Sequence, residues 1–323
     1  MSISKPYINI ELEKLNYHNN MNNKNVSNNH IIKILVLLNI LFIIVIIFIL
    51  YIEKEKIINK IELIKENEIC IYQHNMIYKK SLKFNLNELI KPMKILGKNK
   101  IRLGNKYDGG YILLDDFENI KIAYSLGISN DVSFDKELAD KNIDIYMYDH
   151  TIEKLPYNNT RFHWKKIGLI GGTNIKKDNM ESLDLIIMEN GHSTEQNMIL
   201  KIDIEYYEWQ VFESLPINIL NQFKYIVAEF HFRDSKDINY YSILKKIENT
   251  HQIFHIHCNN LGDIIDIKGY KICSSLEISY INKKGYQFVN DDSIYPINGL
   301  DYKNCDYKKD YSYILNILNE INP

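Results

Sequence analysis

Leu200-Lys201-Ile202-Asp203-Ile204-Glu205, with Glu208-Trp209 close behind, reads as a buried strand that ends in acids and turns directly into a helix. The apolar run Met198–Ile204 sets the strand, and Trp209–Leu215 carries the helix. Asp203 and Glu205 are two apart, so in extended chain they face one side. In open α/β sheets ligands bind beyond the carboxyl ends of the strands, where strand order reverses. The acids of this segment therefore mark a cleft mouth.

Outward from it, six more short apolar runs read as strands: Lys121–Ser125, Ile143–Tyr148, Arg161–Lys166, Tyr225–Phe230, Gln252–His257 and Leu276–Ile281. Between them Phe134–Lys141, Asn179–Asn190 and Asn239–Thr250 read as further helices. Alternation of strand and helix predicts an α/β domain with a largely parallel, Rossmann-like sheet of seven strands.

The strand ends carry the chemistry. After Lys121–Ser125 comes Ser125-Leu126-Gly127-Ile128-Ser129-Asn130-Asp131, where Gly127 permits a tight turn and close backbone approach to a ligand. Asp149-His150 follows the next strand, 22 residues beyond Gly127, a spacing suited to an acid that holds ribose hydroxyls. Glu229-Phe230-His231 and His255-Ile256-His257 repeat the period-two pattern at two more strand ends. His231 or His257 is suited to act as a general base, oriented by Asp203 or Glu229. A different use of the same groups is a metal set of Asp203, His231 and His257.

The chain has 323 residues, 46% of them hydrophobic, and a net charge of −2. Near-balanced charge argues against a nucleic-acid binder that relies on bulk positive charge. The sequence is rich in Ile and Asn, which share A/T-rich codons with Lys and Tyr, so these residues carry little positional information. Four scattered cysteines form no C-x-x-C pair and give no zinc or redox motif; their even number permits disulfides without fixing a compartment. Ile34–Ile52 is uncharged and almost wholly apolar, and nineteen helical residues span about 28 Å, close to the hydrocarbon core of a bilayer. Glu53-Lys54-Glu55-Lys56 follows with no small-residue cleavage pattern, so an uncleaved single-pass anchor over residues 31–52 is expected. The expected organisation is an Asn-rich tail (1–30), the anchor (31–52), a helical stalk (53–80) and the α/β domain (81–323). The flanking charges do not fix the side of the membrane on which that domain lies. Asn158-Asn159-Thr160 forms an N-glycosylation sequon.

Several segments, taken together, resemble the FkbM-like methyltransferases. Arg102-Leu103-Gly104 and Asp108-Gly109-Gly110-Tyr111 match the family's R-x-G…DGGY element, and Ser125-Leu126-Gly127-Ile128 with Asp131 and Ser133-Phe134-Asp135 matches its first turn. Tyr148-Asp149-His150-Thr151 matches the acid after the second strand, and Leu200–Glu205 with Glu208-Trp209 resembles its L-K-I-D-I-E-G-x-E-W hallmark. Glu229-x-His231, His255-x-His257-x-Asn259-Asn260, Leu276–Tyr280 and Gly299–Cys305 match later elements, so the resemblance runs from about residue 100 to 310.

The resemblance implies a seven-stranded methyltransferase sheet with an antiparallel last strand and S-adenosylmethionine as cofactor. Ser125, Gly127, Ser129, Asp149, His150 and Asp203 are then the cofactor-binding residues, with Lys166–Leu169 near the adenine. Asp203, Glu229, His231 and His257 are the catalytic set. The implied reaction is methyl transfer to a hydroxyl, with a glycan as the acceptor that a membrane-held enzyme suggests and no nucleic-acid partner. One departure stands out: Tyr206 occupies the position of the family's Gly after D-I-E. It keeps open a second reading, a methyltransferase fold that has lost catalysis and serves binding or scaffolding. A glycosyltransferase, which would need a D-x-D metal motif, is only approximated by Asp203-Ile204-Glu205.

Overall fold

The computed structural model describes residues 37, 41–43, 46–58, 89–267 and 270–311. The chain divides into two units, Met1–Lys83 and Phe84–Pro323. In the first unit residues 46–58 are helical and their large apolar side chains are exposed. Among the described residues no helix is long and apolar enough to cross a membrane. Much of the expected anchor, the tail at 1–30 and most of the stalk lie outside the described residues.

The second unit is built on seven strands: β1 (Ile122–Leu126), β2 (Asp144–Tyr148), β3 (Phe162–Lys165), β4 (Met198–Ile202), β5 (Phe223–His231), β6 (His251–Cys258) and β7 (Ser275–Asn282). Their order in the sheet is β6-β7-β5-β4-β1-β2-β3. Strands β3, β2, β1, β4 and β5 run parallel, while β7 is antiparallel to both neighbours, β5 and β6. Order reverses between β1 and β4, so the loops after these two strands flank the cleft.

Helices α1 (Ser133–Asp140), α2 (Leu183–Glu189), α3 (Glu208–Ser214), α4 (Ile217–Leu220) and α5 (Tyr240–Glu248) fill the connections. In α5 the buried residues Tyr240, Ile243, Leu244 and Ile247 fall at helical spacing, and the Asn239 side chain caps its start by accepting from Ser242 N at 3.1 Å.

Period-two alternation splits the core. Tyr124, Leu126, Leu200, Ile202, Ile226, Ala228 and Phe230 pack on one face with residues of α2, α3 and α5. Ala123, Ile145, Ile199, Tyr225 and Val227 pack on the other with Phe134 and Leu138 of α1 and the strand Tyr111–Leu114. Continuing the second series gives Lys201, Glu229 and His231. The polar groups of β4 and β5 thus emerge on the α1 face by parity alone.

Three differences from the sequence reading have clear causes. β4 stops at Ile202 rather than Ile204, because, past a last ladder bond from Asp203 N to Leu126 O (3.0 Å), Glu205 and Tyr206 adopt left-handed φ of 54° and 75°. Helix α2 starts at Leu183 rather than Asn179, because Met180–Glu181 pairs as a short strand with Gly168–Leu169. Small β pairs were not foreseen: Lys100–Leu103 with Tyr111–Leu114, Met93–Ile95 with Phe288–Asn290, and Ile264–Ile267 with Tyr270–Cys273. A disulfide joins Cys258, at the end of β6, to Cys273, with Cα atoms 6.0 Å apart; Cys305 is a buried free thiol.

Candidate active site

The turn after β1 is fixed from both sides. Gly127 has φ 78°, and a Cβ there would overlap the carbonyl oxygen of Asp203, so the loops after β1 and β4 touch through bare backbone. Lys201 reaches across from β4 and its Nζ donates to the Gly127 carbonyl. Asp149, buried at the end of β2, accepts from Ile128 N (2.8 Å) and Ser129 N (2.9 Å) on one oxygen and from Thr151 N (2.7 Å) and Thr151 Oγ1 (2.6 Å) on the other. Burial works against its charge, but these donors win and hold its carboxyl below the usual carboxylate range. Its four lone-pair positions are therefore all used within the chain. Ser129 and His150 are exposed on either side of it, and the His150 ring lies against Gly168, within the segment Lys166–Leu169.

Opposite this turn stands an acid face. Asp203 accepts from the Tyr111 hydroxyl at 3.4 Å. Glu229 is buried and accepts from Asn259 Nδ2 (2.8 Å) and from the Ser275 hydroxyl. Burial, with Asp203 and Glu277 nearby, pushes its carboxyl well above the usual range. His231 Nδ1 pairs with Glu208 Oε1 at 2.9 Å, while Nε2 faces Glu205 at 3.5 Å and Glu229 at 3.7 Å. Burial alone would lower the His231 pKa, but the Glu208 bond and the surrounding carboxylates raise it to about 9. Glu208 is fully buried at the first turn of α3 and also accepts from Ile204 N (3.0 Å), so one carboxylate fixes both the acid turn and the imidazole.

His257 is buried against Glu277, with Nδ1 to Oε2 at 3.0 Å. Burial opposes its charge, yet Glu277 and Asp310 raise its pKa to about 10. His255 is buried against Asp301 at 2.7 Å and burial keeps it below the ordinary value.

The hairpin 100–114 caps this face. Arg102 donates to the carbonyls of Asn105 (2.7 Å), Tyr107 (2.9 Å) and Leu300 (3.3 Å), which fixes the glycine-containing loop between its strands. Asn105 Nδ2 donates to Asp131 (2.7 Å), and Asp131 accepts from Ser133 N (2.8 Å) at the start of α1. The loop so held carries Asp108 and Tyr111 to the acids; Asn304 Nδ2 bridges Asp108 (3.2 Å) and Glu277 (2.6 Å).

The Methyltransferase FkbM domain matches residues 100–272, more than half of the chain. The chain belongs to the FkbM methyltransferase family. The match begins at the first strand of the capping hairpin and ends within the strand that carries Cys273. Neither a curated protein nor a solved structure matches the chain.

In this FkbM domain the expected site residues fall into two groups that meet at the Gly127–Asp203 contact. Ser125, Gly127, Ser129, Asp149 and His150 lie around the first turn; Asp203, Glu229 and His231 lie across from it. His257 stands two strands further out, on β6, against Glu277 of β7, so the set Asp203, His231 and His257 is not a cluster of mutually close donors. Sequence reasoning missed Lys201, Tyr111, Glu208, Asp108, Glu277 and Asn304 as partners in the site. Lys201 had a visible signal, a charge inside an apolar strand and in phase with Asp203. Tyr111 and Asp108 sit in the DGGY element, but only the hairpin shows which face they cap.

Proposed function

We propose that this FkbM methyltransferase uses S-adenosylmethionine to O-methylate a hydroxyl of a glycan or other small acceptor, and that residues 31–52 hold it at a membrane. The observation that carries the reading is the direct contact between the Gly127 turn and the acid turn at Asp203. It brings a bare backbone cradle and a base-bearing face to one mouth. The cradle residues suit the cofactor: Gly127 has no side chain, and Ser129 and His150 offer exposed polar groups beside Asp149. When bound, S-adenosylmethionine supplies a sulfonium methyl group that is already activated towards a nucleophile. Asp149 fixes the amides of Ile128 and Ser129, and a ribose hydroxyl would exchange with Thr151 Oγ1 on its carboxylate. Glu229 is the base: it stands on the acid face 3.7 Å from His231 Nε2, and burial pushes its carboxyl above the usual range, which strengthens it as a proton acceptor. His231 holds a positive charge towards the oxygen that loses the proton. Asp203 positions the acceptor between them. His257 compensates the charge of Glu277.

Support for the anchor comes from the uncharged run Ile34–Ile52 and from exposed apolar side chains on the helix at 46–58. The Cys258–Cys273 disulfide and the exposed sequon residue Asn158 favour an oxidising compartment for the catalytic domain.

Calorimetry of the purified chain with S-adenosylmethionine tests the reading, followed by methyl transfer to a panel of glycans. Glu229→Gln should lower kcat by 10²-fold or more with cofactor affinity unchanged. Asp149→Ala should weaken cofactor binding about tenfold or more, by loss of a charge-assisted bond set. Failure to bind S-adenosylmethionine would select the second reading, a binding or scaffold role, which the Tyr206 ring packed 5.3 Å from His231 favours.

A further inference from the structure

Two groups of three acids or histidines lie at the acid face. In each, one donor atom per residue falls within 4.8 Å of the others: Asp108, Glu229 and Glu277 in one, Asp203, Glu205 and His231 in the other. The first group is taken up from within. Asn304 bridges Asp108 and Glu277, Asn259 and Ser275 bind Glu229, and His257 pairs with Glu277.

The second group is left open. The His231 side chain is only 10% exposed, and its Nε2 faces carboxylates at ion-pair distance. The nearest carboxylate oxygens, on Glu205 and Glu229, stand 3.5 and 3.7 Å away. The ring cannot turn to find another partner, because buried Glu208 holds Nδ1 at 2.9 Å. Such a carboxylate behind a histidine fixes its tautomer and directs the other nitrogen at a ligand. Glu205, with 79% of its side chain exposed, is free to swing towards Nε2.

We infer that Asp203, Glu205 and His231 Nε2 form a binding site for a divalent cation of the Mn²⁺ or Mg²⁺ class. Two carboxylates, one imidazole and no thiolate suit an oxygen-preferring ion that keeps open positions. Donors around one such ion, at about 2.1 Å each, stand about 3 Å apart when adjacent, so a movement of Glu205 closes the set. Binding exchanges the Nε2 proton for the cation, and the proton leaves to solvent, so the cation takes over the positive charge that His231 otherwise holds towards the acceptor oxygen. The open positions face the mouth and are filled by water or by two neighbouring hydroxyl oxygens of an acceptor. That use rests on the methyltransferase reading; the existence of the site does not.

The test is Mn²⁺ titration of the full chain, read by loss of the free-ion EPR signal. One Mn²⁺ per chain should bind below about 1 mM. Asp203→Asn and Glu205→Gln should each weaken binding about tenfold or more, Glu208→Gln should do so through the ring it holds, and Asp108→Asn should not. Glu205 is exposed, so its variant keeps the fold, and thermal melting of each variant checks this. No bound Mn²⁺ up to about 1 mM, or binding unchanged in Glu205→Gln, would overturn the inference. Calorimetry with S-adenosylmethionine on the same preparation separates the two readings. Cofactor bound without Mn²⁺ overturns the cation site alone, and Mn²⁺ bound without cofactor supports the site while removing the methyltransferase reading.

Discussion

Tyr206, where the resemblance leads one to expect Gly, holds a φ of 75° next to Glu205 at 54°. The sequence raised the question whether such a backbone survives a side chain, and it does. The ring is held between His231, 5.3 Å away, and the Arg233 guanidinium, 5.2 Å away. The left-handed conformation costs a non-glycine residue about 1 kcal/mol. Tyr206→Ala keeps that cost and loses the ring contacts, whereas Tyr206→Gly removes it. Urea unfolding should therefore rank Tyr206→Gly above Tyr206→Ala by about 1 kcal/mol; the reverse order would mean that the turn rearranges. Glu208 offers a second test at this scale. Burial lowers the imidazole pKa, but the Glu208 bond and the surrounding carboxylates together outweigh it and raise it to about 9, so Glu208→Gln should bring the His231 titration down, as followed by NMR. The acid and histidine positions were legible in the sequence because period two is simple. Glu208 was not, since only the packing of α3 under β5 turns a first-turn acid towards an imidazole.

At the level of elements, the contact between the loops after β1 and β4 needs a missing side chain. Gly127 and Gly191 have nearly the same φ, 78° and 79°, but a Cβ at Gly191 meets nothing within 4 Å. Gly191→Ala should cost about 1 kcal/mol, from conformation alone. Gly127→Ala should cost about 1–3 kcal/mol more, from overpacking, and should abolish cofactor binding. Equal costs in chemical denaturation would refute the contact. The disulfide is also an element-scale device. It closes a separation of 15 residues around Asn259, which binds Glu229. Replacing both Cys258 and Cys273 by Ala should lower stability by about 3 kcal/mol. The seven strands were legible as apolar runs bounded by turn residues. The hairpin at 100–114 was not, because its loop is held by Arg102 bonds to three carbonyls, which leave no periodic trace.

Over the whole molecule, buried titratable groups set a window of pH stability. His231 and His257, at about 9 and about 10, lie above the ordinary histidine value. Their contribution is complete below about pH 6.5 and is lost as pH rises through 9 to 10. His251 is fully buried between Thr250 and the Phe223 carbonyl, and burial lowers it to about 4. It contributes stability above about pH 6.5 that is lost as pH falls towards 4. Asp116, tied to Lys98, Lys224 and Tyr286 against the effect of burial, sits at about 2 and weakens the fold only below about pH 4. Melting temperature should therefore peak near pH 6.5, and His257→Asn should flatten the alkaline limb; a limb unchanged in that variant would contradict the assignment. Finally, β7 lies between β5 and β6 although it follows both in the chain. A ribosome must release residue 282 before β5 gains its outer neighbour, so in a nascent chain β5 waits with an unpaired apolar edge from residue 231 and β6 from residue 258. Dependence on chaperones during that interval follows from strand order, whatever the finished protein binds.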